Sequence, residues 1–209
     1  MTAALDRVAL SHHAFTGVTR QHFADLIVQL ATPWEAARES DRAEWRGGLR
    51  KRLAGAGRKV KLVFTDRLLV TLICLRHQLP HAALADLYGV DRSTVSAAVR
   101  EIRFLLAARG FAVPDQISAP PKKPGEDACE GEHRAWREAK RRQSSVRICI
   151  EHTNAELKKW RPLQRYTGRR ESYGETHAAI ASLVSDRSVR RATRRRTSTA
   201  LVPVRTNTC

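Results

Sequence analysis

Pro80 and Gly89 cut a strongly helical stretch, Phe64 to Gly110, into three pieces. In the first piece, Thr65 or Asp66 is expected to cap a helix whose Leu68, Leu69, Leu72, Ile73 and Leu75 form a broad apolar face. Proline cannot donate within a helix but suits its first turn, so Pro80 ends this helix and starts the next, His81 to Tyr88. Gly89 supplies a left-handed stop, and Asp91 caps a third helix reaching about Ala108. Two helices joined this tightly need a small residue where they cross, which Ala85 provides. Leu84, Tyr88, Val90, Val95 and Ala98 fall where the space between them must be filled. The pattern is that of a helix-turn-helix.

A simple helical hairpin would need the same core, so the outer face has to discriminate. It carries Arg92, Ser93, Thr94, Ser96, Arg100 and Arg103, all able to hydrogen-bond base edges or phosphates. The N-terminal residues of such a helix usually enter the groove, which places Arg92 and Ser96 near bases and Arg100 and Arg103 near phosphates. The whole chain agrees in charge: Lys and Arg outnumber Asp and Glu by 38 to 21, for a net +17 and a pI near 10.9. Double-stranded DNA is the expected partner, with an acidic membrane surface second. No apolar run is long enough to span a membrane, and the Met1 end lacks the layout of a signal peptide, so a cytoplasmic protein is expected. Cys74, Cys129, Cys149 and Cys209 are scattered and read as free thiols. The pairs Cys129-x3-His133 and Cys149-x2-His152 match a zinc site only loosely.

Five segments follow from the texture of the chain. Residues 1–62 hold an amphipathic helix around Gln21–Leu30, with Phe23, Leu26, Ile27 and Leu30 on one side, then a basic Gly-rich arm, Arg46 to Lys61. The helix-turn-helix domain occupies 63–112, and a Pro/Lys-rich linker with Pro120, Pro121 and Pro124 occupies 113–130. In 131–187 a charged helix with Trp136 precedes a helix carrying Glu151 and another over about Tyr173–Arg187. An Arg-rich tail, expected to be disordered, fills 188–209.

The 131–187 segment contains Arg147-x3-Glu151-x6-Lys158. On a helix, these spacings put a carboxylate between two cations on one face. The motif resembles the C-terminal signature of bacterial insertion-sequence transposases of the DDE type, in the group numbered five. Gln143-Ser-Ser before it and Trp160-Arg-Pro-Leu-Gln-Arg-Tyr-Thr-Gly after it extend the likeness, as do Gly57-Arg-Lys-Val-Lys-Leu62 and the upstream helix-turn-helix. Ser144 departs from the pattern, standing where the signature has Tyr. The resemblance implies an RNase H-like core in which two Asp and a Glu hold Mg2+ or Mn2+ for DNA cleavage and strand transfer. Glu151 would be the catalytic metal ligand, with Arg147 and Lys158 beside it contacting phosphate or carboxylate.

The two Asp residues have no counterpart. Between Gly110 and Arg147 only Asp115 and Asp127 are available, both in polar sequence with no strand before them. The chain reads as internally truncated near Val113-Pro-Asp115. The fold expected is therefore mostly α: a helix-turn-helix domain followed by a helical remnant of an RNase H-like catalytic domain, whose apolar face has lost its sheet. The expected function is recognition of transposon-end DNA with cleavage lost and no metal necessarily bound. A homodimer or a full-length transposase is the candidate protein partner. The alternative is a helix-turn-helix regulator or repressor with no nuclease role.

Overall fold

The computed structural model describes residues 7–48, 61–111 and 120–199, excluding the side chains of 145–147, 149 and 188–199. Within those residues every regular element is helical. In chain order these are α1 (Arg7–Leu10), α2 (His13–Thr16), α3 (Arg20–Arg46), α4 (Phe64–His77), α5 (His81–Tyr88), α6 (Arg92–Ala108), α7 (Glu130–Leu157), α8 (Arg161–Gln164) and α9 (Tyr173–Thr199). A 3-10 turn, Arg170–Ser172, leads into α9.

Helix α4 is the centre of the molecule. Residues 68 to 73 and Leu75 are all buried, which is the condition of a helix covered on every side. One side, with Leu68, Leu72 and Leu75, meets Leu26, Leu30 and Trp34 of α3, Ile102 and Leu106 of α6, Trp160, and Ile180 and Leu183 of α9. The other side, with Leu69, Val70 and Ile73, meets Leu84 and Ala85 of α5 and Val95 and Val99 of α6. The larger of these clusters crosses the Pro/Lys-rich segment: residues before and after it share one core. The apolar face of α9, expected to have lost its partner, is covered by the helices around it, with Ile180 and Ala179 fully buried.

Caps were legible in part. Gly89 ends α5 at φ 61°, as its place in the sequence predicts, and the structure adds Thr19 as the cap of α3, its hydroxyl accepting from the His22 N–H at 3.2 Å. Asp66 does not cap α4, which starts after Val63 without a side-chain cap. Its carboxylate is instead 1% exposed and gripped by Arg7, with Nε–Oδ1 at 2.8 Å and Nη2–Oδ2 at 3.0 Å. A buried carboxylate must be paired, and a bidentate guanidinium fits it. The other corrections are of length. Helix α3 runs past Leu30, through Pro33 to Arg46, because Trp34 remains buried and exposed pairs such as Arg46–Glu39 (2.8 Å) support its end. The two helices expected around Trp136 and Glu151 are one, α7. Helix α9 continues to Thr199, through a stretch expected to be disordered. Most of the basic arm (49–60), the region of Asp115 (112–119) and the last ten residues (200–209) lie outside the described residues.

Trp160 fastens the N-terminal turn to this core. Its ring is 2% exposed, with the Arg76 guanidinium 5.5 Å from its centre. Gly17, at φ 74°, lies so close that a Cβ there would stand 2.9 Å from Trp160 Cη2 and Cζ2. Gly17→Ala therefore meets both backbone strain and a clash, and is expected to lower stability by about 1–3 kcal/mol in chemical denaturation. Ile180→Ala, which opens a cavity in the shared core, is expected to cost about 2–5 kcal/mol in one cooperative transition. Separate transitions for the two halves would contradict a common core.

Candidate nucleic-acid interface

The second cluster fixes the angle between α5 and α6. Ala85 is 4% exposed at their contact, Val95 and Ala98 are fully buried, and Tyr88 and Val90 pack at the edge, as their spacing predicts. Gly89 and the backbone bond from Val90 N–H to Ala85 O (3.0 Å) make the turn. Asp91 precedes α6 in an extended conformation but makes no side-chain cap; it lies 3.6 Å from Lys61 Nζ.

The six polar residues expected on the outer face of α6 divide into two kinds. Arg92, Ser93 and Arg100 are exposed, while Thr94, Ser96 and Arg103 are half-buried. Arg103 is turned toward α9, where its Nε donates to Glu175 at 2.7 Å. Its expected phosphate role is thus opposed by an ion pair within the protein. Ser96 meets His81 at the start of α5, with Oγ 2.8 Å from Nδ1. The other ring nitrogen, Nε2, lies 3.7 Å from Cys74 Sγ of α4. Burial, and then the nearby Arg92 and Arg103, push the His81 pKa below its ordinary value of 6.5. Burial pushes the Cys74 thiol up to about 11. Both groups are therefore neutral near pH 7. Phe104 adds a 62% exposed ring one turn beyond Arg100.

Glu151 and Lys158 are exposed, the first on α7 and the second as its C-terminal cap; the side chain of Arg147 lies outside the described residues. The buried carboxylate of this region is Glu156, which accepts from Lys159 and from Arg187 of α9, both at 2.9 Å. Among the described residues no group of three His, Cys, Asp or Glu side chains could hold a metal ion. One exposed carboxylate does not fit a two-metal centre, since Mg2+ keeps its waters unless several oxygen ligands converge. Cys129, half of one possible zinc pair, is an exposed thiol at the start of α7. No helix among the described residues is long and apolar enough to cross a membrane.

Two features escaped the sequence reading. The His81–Ser96 pair had one available signal, a histidine directly after the proline that opens α5. Asp186, which accepts from Arg109 at 2.7 Å and lies 2.9 Å from His22 Nε2, had none, because its partners are 77 and 164 residues away.

Comparison with known families bears on the helical core just described. Residues 60–112 match the family model described as the helix-turn-helix of DDE superfamily endonucleases. The matched stretch contains α4, α5 and α6. No curated protein and no solved structure matches the chain.

Arg103 and Arg100 should separate in a stability measurement. Arg103→Ala strands a partly buried Glu175 and is expected to lower stability by about 1–2 kcal/mol. Arg100→Ala, on the open face, is expected to stay within about 0.5 kcal/mol of the parent.

Proposed function

We propose that this protein is a DNA-binding member of the DDE transposase lineage that recognises transposon-end DNA through α6 and has lost cleavage. The observation that carries the reading is the coincidence of the matched segment with a fold that leaves Arg92, Ser93 and Arg100 open on one helix. Cations on an exposed helix face supply the phosphate contacts that dominate DNA affinity. The chain's net charge of +17 adds long-range attraction. Within this reading Arg92 and Ser96 approach base edges and Arg100 holds a phosphate.

Loss of catalysis rests on donor count. The signature's Glu151 is one carboxylate, and the reaction of the DDE type requires three around two metal ions. Mg2+ or Mn2+ therefore has no step in the mechanism proposed here. The work of this chain is to bind, and a second copy or a full-length transposase at the same ends is the protein partner the reading implies.

Gel-shift and nicking assays on DNA flanking the gene, with and without Mn2+, test both halves. A shift without nicking is expected, and metal-dependent nicking would overturn the loss of catalysis. Absence of any shift would overturn DNA binding itself. Arg100→Ala should weaken binding on every sequence and reduce the slope of log affinity against log salt by about 1, whereas Arg92→Ala should mainly blur sequence preference.

A further inference from the structure

The hydroxyl of Ser96 lies one turn from Arg92 and one turn from Arg100, in the stripe that faces DNA in the reading above. It is not a free rotor, because His81 Nδ1 stands 2.8 Å from it. We propose that His81 is a positioning residue for base reading: it takes the Ser96 proton in a hydrogen bond and turns the hydroxyl's lone pairs toward the DNA groove. Ser96 then acts as an acceptor and favours a base that presents an amino group in the major groove, adenine through N6 or cytosine through N4. The inference rests on DNA binding through α6.

The chemistry of the triad selects this tautomer. Cys74 is buried and keeps its proton, so at His81 Nε2 it offers a weak acceptor and a weak donor. The shorter contact, to Ser96, decides. A hydroxyl donating to a basic imidazole nitrogen makes a stronger bond than an imidazole N–H donating to a hydroxyl. His81 therefore carries its proton on Nε2, toward sulfur, and accepts at Nδ1. The groups facing the ring are Cys74 from α4 and Arg92 and Arg103 from α6, the last held by Glu175 of α9. Both arginines disfavour a charged imidazole.

Protonation reverses the arrangement. With both ring nitrogens carrying protons, Nδ1 must donate to Ser96 Oγ, and the serine's own proton is freed to point outward. Ser96 then reads acceptors, such as guanine O6 or thymine O4. The folded-state pKa lies below 6.5, so the acceptor form holds at neutral pH and the reversal appears only in acid.

Two measurements on the full-length chain test this. Imidazole 15N correlation spectra, with His81 assigned by its loss in His81→Asn, should show Nδ1 as the bare nitrogen at about pH 7.5. A proton on Nδ1 would overturn the proposal without touching DNA binding. Selection from a randomised DNA pool at the same pH should give one position preferring an amino-bearing base by about fivefold. Ser96→Ala and His81→Phe should level that position, and His81→Asn, whose amide oxygen can replace Nδ1 as acceptor, should keep it. At an acid pH where the same spectra show both His81 ring nitrogens protonated, the parent's preference should move toward guanine or thymine at that position, a change that needs no variant to fold. Retention of the preference in His81→Phe, or its constancy once the His81 ring is seen to be protonated, would overturn the role of His81. Failure of the parent to bind the pool at all would overturn the DNA-binding reading instead.

Discussion

The burial of α4 on all sides is the constraint from which the other helices take their places. A helix with Leu68, Leu69, Val70, Leu72, Ile73 and Leu75 around its circumference cannot lie on a surface. It has to be enclosed, and no single neighbour can do so. Helices α5 and the first turns of α6 cover one side, while α3, the later turns of α6, Trp160 and α9 cover the other. Helix α6 takes part in both clusters, so its buried face is fixed along its length. Its remaining face is then presented to solvent in one orientation.

That division explains why the outer face of α6 is less open than its sequence suggests. A cation near a packed neighbour is drawn into an internal pair: Arg103 to Glu175, and Arg109 to Asp186. Arg67, deeper in the core, is held by Glu101 at 2.9 Å and lies beside the Trp34 ring. Such pairs place charged groups at the junctions between helices, where water is scarce and an unpaired charge would be costly. The exposed cations Arg92 and Arg100 remain for a polyanion. The matched helix-turn-helix segment and the charge of the chain then point to the same partner.

The helix-turn-helix was legible because its signals are local. Pro80, Gly89 and Ala85 act through backbone conformation and close approach within a few residues, and the apolar spacing needs no knowledge of the rest of the chain. Asp66 was misread for the complementary reason. Near the start of a helix a carboxylate has the form of a cap, and only the approach of Arg7, 59 residues away, gives it another use. The same holds for the end of α3, where Trp34 continues the buried face beyond a proline. In the candidate site, the six polar residues of α6 were found together, but which of them stay open depended on α5 and α9.

By itself the sequence determined the helical class, the three-helix recognition unit and the sign of the partner's charge. Each depends on periodicity, local backbone chemistry or net charge, and these are properties of the chain before it folds. Tertiary structure decided that α9 shares a core with the recognition unit, that Arg103 belongs to Glu175, and that His81 meets Ser96. These are meetings between residues from 15 to more than 100 positions apart. They depend on how the enclosed α4 orients its neighbours, and no spacing along the chain encodes them.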